Sequence, residues 1–393
     1  MSTLKRLTAE PARTALLVAG GLGFILLGAS QALYGPFYGV FRSRFELSAT
    51  AVSFITAIHF VGATTGLSSS GFLARRFGPL RVVTAAIFTL AAGFATVAVG
   101  PGWPWVLGGA AVIGLGFGGL VTMNFLIARV FGDAAPAALN ALNAMFGVGA
   151  VLAPLAAAPF AVSGAYAPVF AAGAALAAAL GLYFAFTRRI TVEEPPAKPR
   201  DHSGLRAYIL PAAGFTALLF FYMASEASFG NWIPTHLTPS VGAAAAARYA
   251  GLFWLSHTVG RIAAAPVSMR LRPAALVSFT LLFAVAATAT ASIVPLAPLA
   301  YIVAGFFCGP IFPGGLAWIR TRFPGSADEV SSVVLAVGGL GSIAAPPVIG
   351  QAVDAVGVGA IPAGLVAMLA TAAVVSQSLR LFTRARGRES RAG

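Results

Sequence analysis

The segment 147-GVGAVLAP-154 recurs as 339-GLGSIAAP-346, at a constant offset of 192 residues. A second match pairs Gly114 and Gly118 with Gly305 and Gly309. Both offsets are about half of the 393-residue chain, and the order of the matches is kept. Two matches in register indicate an internal duplication, and the small residues are typical of helices that approach closely in a membrane.

The composition excludes a soluble protein. Hydrophobic residues make up 58% of the chain, charged residues only 9%, and the mean hydropathy is +0.87. A soluble domain carries roughly a quarter charged residues, so this chain cannot cover two soluble domains with a charged surface. Cys308 is the only cysteine, which excludes a disulfide scaffold. The sequence therefore predicts a polytopic membrane protein.

Twelve apolar runs are long enough to cross a bilayer core of ~30 Å as helices. The runs in the first half are Thr14–Phe41, Ala49–Ala74, Arg81–Val99, Pro104–Val130, Pro136–Val162 and Gly164–Phe186. Those in the second half are Tyr208–Ile233, Ala250–Met269, Pro273–Val294, Leu299–Ile319, Val330–Val353 and Ile361–Leu381. We predict an all-α protein with an N-terminal six-helix bundle (1–187), a cytoplasmic linker (188–206) and a C-terminal six-helix bundle with a basic tail (207–393).

The positive charges predict the orientation in the membrane. If the N-terminus lies inside, 21 of the 25 Lys and Arg residues fall in inner segments. This bias places both termini in the cytoplasm, and we expect a multi-pass protein of the cell (inner or plasma) membrane. The net charge of +14 then reflects topology, so we expect lipid headgroups rather than nucleic acid as polyanionic partners, and a monomer.

The loop between the second and third runs reads 71-GFLARRFGPLR-81. It resembles the loop motif G-x-L-x-D-R-x-G-R-R of the major facilitator superfamily. The matching positions are Gly71, Leu73, Arg76 and Gly78. Arg81 lies one position late, and Arg75 replaces the acid that helps to latch the two bundles in that family. The resemblance implies the major facilitator fold and a gating loop formed by Gly71, Arg75, Arg76, Gly78 and Arg81.

Three further segments resemble the fucose–galactose–glucose:proton symporter branch of that superfamily. They are 139-LNALNAMFGVGA-150, 226-EASFGNWIP-234, and 253-FW-254 leading to 260-GR-261. The resemblance implies proton-coupled uptake of a sugar by two bundles that rock around a midplane site. Carriers of that branch place acids in spans one and four, where this chain has Gly35 and Leu120. Another group must therefore carry any coupling.

Four ionisable side chains lie inside the predicted spans: His59, Glu226, His257 and Arg261. Such groups are costly in a bilayer and commonly mark function. Glu226 is the only acid in a span interior, so we expect it to bind the coupling ion, a proton or alternatively sodium. His257 and Arg261 lie one turn apart on one helix face. We expect Glu226 to hold Arg261 when ionised and to release it when protonated, with His59 as a further proton-binding candidate.

The same four groups and several neutral side chains are expected to contact the substrate. The neutral residues are Gln31, Tyr34, Asn124, Asn143, Asn231, Trp232 and Trp254. Amide, hydroxyl and indole groups suit the lining of a polyol or sugar site. Each alternatively forms an interhelical hydrogen bond, worth ~0.6 kcal/mol on average. We also expect Gly230 to loosen the helix beside Asn231.

Three alternatives stay open. The first is a symporter of small organic anions that uses Arg261 as the countercharge. The second is a drug/proton antiporter, which is less favoured because Pro154 is not followed by the paired glycines of the antiporter motif. The third is a receptor or scaffold without transport. No phosphate-binding loop, metal-ligand cluster or activated nucleophile occurs in the sequence, which predicts neither an enzyme nor a cofactor or metal.

Overall fold

The computed structural model describes residues 11–186 and 205–392, and the side chains of residues 13–186 and 212–382. Every regular element in these ranges is a helix, which confirms the all-helical fold. The helices of the first range are α1 (Pro11–Ala32), α2 (Tyr34–Phe45), α3 (Ala49–Phe77), α4 (Pro79–Val99), α5 (Trp103–Leu120), α6 (Thr122–Phe131), α7 (Ala135–Ser163) and α8 (Ala167–Phe186). A 3₁₀ turn, Gly132–Ala134, precedes α7.

The helices of the second range are α9 (Leu205–Val241), α10 (Ala243–Ser268), α11 (Pro273–Thr290), α12 (Ala297–Cys308), α13 (Ile311–Arg322), α14 (Ala327–Gly338), α15 (Leu340–Val356) and α16 (Ala360–Ala392). A 3₁₀ turn, Val294–Leu296, precedes α12. The predicted linker, 188–206, lies outside the described residues apart from its last two positions, which begin α9.

Ten helical segments within the described residues are long and apolar enough to cross a membrane, so the chain is an integral multi-pass membrane protein. One of these segments, Trp103–Ser163, is 61 residues long and contains the fourth and fifth predicted spans together. Helix α10, which contains the eighth predicted span, is not among the ten. Its polar residues, above all His257 and Arg261, lower its mean hydropathy.

Four of the predicted spans are divided into two helices each. The divisions fall at Leu33, Val121, Gly309–Pro310 and Gly339. Proline has no backbone N–H, so a proline three or four residues beyond a break removes a helical hydrogen bond there. Pairs of adjacent glycines also weaken a helix, because glycine loses more conformational freedom than other residues when it folds. The expected loosening at Gly230 is wrong, because α9 runs through it without interruption.

The chain divides into two compact units. Unit 1 contains the chain up to Ala197 together with Ala243–Gly251, and unit 2 contains Lys198–Gly242 and the chain from Leu252 onward. The first turns of α10 therefore belong to unit 1 and the rest of that helix to unit 2. Within unit 1, α3 packs on α5 and α1 packs on α7.

The internal duplication is visible as matching glycine contacts inside each unit. At these positions an added Cβ would overlap a backbone carbonyl of the neighbouring helix, so only glycine permits the close packing. Each contact in unit 1 has a counterpart in unit 2: Gly66–Leu115 matches Gly260–Phe306, Gly114–His59 matches Gly305–Phe253, Gly118–Ala63 matches Gly309–His257, and Gly149–Ile25 matches Gly341–Phe220. Residues of α10 thus correspond to those of α3 at an offset of 194, and residues of α9 to those of α1 at an offset of 195.

Candidate functional site

Glu226 lies on α9 in unit 2, and its side chain is only 16% exposed. The other acids whose side chains the structure describes are all exposed: Glu46, Asp133, Asp328, Glu329 and Asp354. A carboxyl group withdrawn from solvent needs hydrogen-bond donors around it to remain in place. Glu226 is therefore the natural centre of a polar site in this unit.

Two basic side chains of α10 converge on one carboxyl oxygen. His257 Nε2 lies 3.4 Å from Glu226 Oε1, and Arg261 Nη2 lies 3.5 Å from the same oxygen. The helical spacing of His257 and Arg261 puts both on the face of α10 that meets α9. The structure thus brings together three of the four ionisable residues that the sequence singled out.

Tyr222 fixes the orientation of the histidine. Its hydroxyl donates to the backbone carbonyl of Cys308 at 3.0 Å, and the same oxygen lies 3.3 Å from His257 Nε2. A tyrosine hydroxyl has one proton to donate, so its oxygen accepts from the imidazole. Neutral His257 therefore carries its proton on Nε2, directed towards Tyr222 and Glu226.

The break between α12 and α13 supplies the acceptor for Arg261. Arg261 Nε donates to the carbonyl of Gly309 at 3.2 Å. That carbonyl has no helical donor, because residue 313 is proline and lacks a backbone N–H. The Arg261 side chain is 36% exposed, and its five N–H groups are only partly used by Glu226 and Gly309.

Aromatic rings enclose the other side of His257. The Trp254 ring meets the imidazole edge-on with centroids 5.4 Å apart, and the Phe253 ring stacks on it at 6.1 Å. The indole of Trp254 packs against Gly230, where a Cβ would lie 2.9 Å from Cζ2. Gly230 is thus explained by close packing rather than by a loosened helix.

Two buried polar atoms, Trp254 Nε1 on α10 and Asn231 Oδ1 on α9, have no hydrogen-bond partner among the described residues. The Asn231 amide nitrogen donates to the carbonyl of Ala227 at 2.7 Å, and the atom of this side chain without any partner is its oxygen. Trp232 is fully buried beside Asn231 on α9. An indole donor and an amide acceptor without partners are groups that a hydroxyl could satisfy.

In unit 1, the structure brings together Tyr34 and His59. The Tyr34 hydroxyl lies 3.1 Å from His59 Nδ1, both side chains are buried, and His59 Nε2 has no partner in the described part of the chain. The ring of Phe117 meets that of His59 edge-on at 5.4 Å. No hydrogen bond of the described residues joins Gln31 or Asn124 to this pair.

Asn143 is exposed and donates to the carbonyl of Leu139 on its own helix at 2.8 Å. The expected gating loop joins α3 to α4, and Gly78 has a φ of 86°, a left-handed value that favours glycine. Arg75, Arg76 and Arg81 are exposed there, and the described residues give them no acidic partner.

The duplication shows that the ionic cluster is specific to unit 2. The correspondence set by the glycine contacts places Gln31 at the position of Glu226, Ala63 at that of His257 and Leu67 at that of Arg261. Unit 1 therefore makes the same helix packing with neutral side chains at all three positions. The cluster is not required to form this arrangement of helices.

Sequence reasoning missed Tyr222 and the two backbone carbonyls at Cys308 and Gly309. Tyr222 precedes Glu226 by four residues, the same spacing as His257 and Arg261, and this repeated spacing was an available signal. It also missed a second pair, in which Tyr301 OH lies 2.8 Å from His236 Nδ1. The predicted seventh span ended at Ile233, whereas α9 continues to Val241 and carries His236 with it.

A family model described as Major Facilitator Superfamily matches residues 20–299, more than half of the chain. The chain belongs to the Major Facilitator Superfamily. Members of this superfamily are transporters, so the protein is a transporter and not an enzyme. A sequence comparison with curated proteins gives no match.

Solved structures of other superfamily members share the fold at low sequence identity. A bacterial homologue of the human lysosomal transporter Spinster is 15% identical with a TM-score of 0.79, covering 95% of this chain and 97% of its own. The nucleoside transporter NupG is 14% identical with a TM-score of 0.76, covering 95% and 99%. A variant of the E. coli fucose:proton symporter FucP is 16% identical with a TM-score of 0.63, covering 92% and 98%. The predicted resemblance to sugar:proton symporters is thereby confirmed at the level of the fold.

Proposed function

We propose that this superfamily member is a proton-coupled transporter of a small, neutral, hydroxylated solute, a sugar in the favoured case. In this proposal twelve helices form two six-helix bundles that give alternating access. Both termini are cytoplasmic, and the protein works as a monomer in the cell membrane.

The ionic cluster of unit 2 carries the proposal. A partly buried ion pair contributes little to stability, because the loss of hydration offsets the attraction between the charges. Unit 1 packs the same helices without such a cluster, so its presence in unit 2 needs another reason. Binding and release of a proton at Glu226 provides that reason.

We infer the action of the proton from the contacts of the cluster. Ionised Glu226 accepts from His257 and Arg261 through one oxygen, at 3.4 and 3.5 Å. Protonation removes the charge that attracts Arg261, while its hydrogen bond to the Gly309 carbonyl is kept. The freed N–H groups are available to a substrate, so proton and substrate binding at this cluster favour each other.

A neutral hydroxylated substrate is supported by the unpartnered groups on α9 and α10. Trp254 Nε1 donates and Asn231 Oδ1 accepts, and a hydroxyl does both. Two of the similar structures are described as a nucleoside transporter and a fucose:proton symporter. Both of those solutes are neutral and carry several hydroxyl groups.

A small organic anion is the second candidate, and the exposure of Arg261 favours it. More than a third of this side chain is accessible, and a guanidinium binds carboxylates through two parallel hydrogen bonds. Protonated Glu226 would leave Arg261 as the positive charge for such a ligand. The two candidates therefore use the same cluster and differ in the charge of the substrate.

A transport experiment tests the proposal. Purified protein is first screened by thermal shift against L-fucose, D-galactose, D-glucose, uridine and lactate, because a ligand stabilises the folded state by mass action. The solute that binds is then followed in proteoliposomes. Glu226→Gln should abolish accumulation driven by a proton gradient and preserve counterflow exchange of the labelled solute. Unchanged proton-driven accumulation in this variant would rule out Glu226 as the coupling group.

A further inference from the structure

Unit 1 contains a groove between α3 and α4 with α5 at its base. Its volume is about 410 Å³, and its walls include Leu73 of α3, Val82 and Ala85 of α4, and Leu115 of α5. Gly66 of α3 and Gly119 of α5 also line it. This volume falls within the ~300–1,000 Å³ range of sites that bind small molecules.

The hydroxyl groups that line the groove do not make it polar. Ser69 donates to the carbonyl of Thr65 at 2.9 Å, Ser70 to that of Leu67 at 2.7 Å, and Thr89 to that of Ala85 at 2.9 Å. Each hydroxyl is therefore satisfied by its own helix and presents mainly carbon to the groove. The interior is chemically close to a hydrocarbon surface.

One end of the groove carries a positive charge. Arg81, in the first turn of α4, lines this end together with Phe77, the last residue of α3. The Arg81 side chain is exposed, and no acid pairs with it in the described ranges. Arg75 and Arg76 are exposed in the last turn of α3 but do not line the groove, so Arg81 is the charge at this end.

We propose that this groove binds an anionic phospholipid, with its phosphate on Arg81 and one acyl chain along α3 and α4. An amphiphile with an anionic head is the ligand that matches an apolar groove ending in an unpaired cation. The charge of Arg81 also repels the ammonium of a zwitterionic headgroup. A net anionic lipid is therefore selected over phosphatidylcholine, which has the same phosphate and the same chains.

Lipid retention by the purified full-length protein tests this assignment. Native mass spectrometry in a neutral detergent measures the binding of phosphatidylglycerol and of phosphatidylcholine with identical acyl chains. We expect wild-type protein to prefer phosphatidylglycerol by about fivefold or more, since one nearby positive charge is worth about that factor. Arg81→Gln should lose most of this preference, and Ala85→Leu, which fills the groove from an exposed position, should lower the retention of the lipid.

Two control variants distinguish lipid binding in the groove from general effects of an added side chain or a lost charge. Ala92→Leu adds the same side chain at another exposed position of α4 outside the groove, and Arg44→Gln removes an exposed charge elsewhere. Both should retain phosphatidylglycerol as the wild type does. Glycerophosphoglycerol, which has the headgroup without chains, and inorganic phosphate should not compete at equal concentration. Unchanged retention in Arg81→Gln and Ala85→Leu, or full competition by the chain-free headgroup, would overturn the proposal.

Discussion

The attraction between Glu226 and Arg261 can be measured because unit 1 supplies neutral replacements for both. Gln31 occupies the place of Glu226 and Leu67 that of Arg261, so Glu226→Gln and Arg261→Leu copy side chains that already fit this helix packing. A double-mutant cycle built from these changes isolates the pairwise interaction. Neither replacement introduces a larger side chain.

The distance sets the magnitude. Unit charges 3.5 Å apart attract by about 5 kcal/mol at an effective dielectric constant of ~20. The Arg261 side chain is 36% exposed, so solvent screens part of this attraction and its ordering costs further free energy. We expect a net coupling of about 1.5 kcal/mol, within the range of ~0.5–3 kcal/mol found for residues in contact.

Unfolding of the four proteins by SDS in mild detergent, followed by circular dichroism, gives the free energies. Each single variant should be less stable than wild type, because it leaves a charged group without its partner. The double variant should be more stable than the sum of the two losses predicts, by about 1.5 kcal/mol. Additive losses would show that the two side chains do not interact, and the mechanism drawn from this cluster would then be refuted.

Two further variants test the packing and the break in α12–α13. Gly118→Ala should destabilise unit 1 by about 1–3 kcal/mol in the same unfolding assay, because its Cβ would overlap a backbone carbonyl. The control is Gly108→Ala on the same helix, where a Cβ would meet no atom within contact distance. This variant should be neutral or stabilising. Equal effects would contradict the close approach. Pro313→Ala restores a backbone N–H that competes with Arg261 for the Gly309 carbonyl. The Glu226–Arg261 double-mutant cycle repeated in this background should therefore give a different coupling energy. An unchanged coupling energy would contradict the role of the proline.

Much of the fold could be predicted from the sequence, because the length of an apolar run and the spacing of its glycines are both properties of a single helix. The repeats at 147–154 and 339–346 predicted the duplication, and Gly149 and Gly341 prove to make matching contacts in the two units. The division of single spans into two helices was not predicted. It depends on which carbonyl loses its donor, and the hydropathy of a span carries no signal for that.

Within the candidate site, the sequence predicted only those residues whose charge makes them costly to place in a membrane. Glu226, His257 and Arg261 were found because charged groups inside a span are rare. Tyr222 and the Gly309 carbonyl were missed, because a tyrosine and a glycine in an apolar helix have many neutral roles. Asn143 lies at an exposed position and its amide bonds to its own helix, so its contact with a substrate stays a prediction.

Proton binding at Glu226 is tested most directly by measuring the protons exchanged when the substrate binds. Purified protein in weakly buffered detergent solution, with a pH indicator, is mixed with saturating concentrations of the solute found in the thermal-shift screen. The account predicts proton uptake by wild-type protein on binding and none by Glu226→Gln, with binding of the solute itself confirmed in both by calorimetry. Equal proton uptake by the two proteins would contradict the central claim that Glu226 carries the coupling proton.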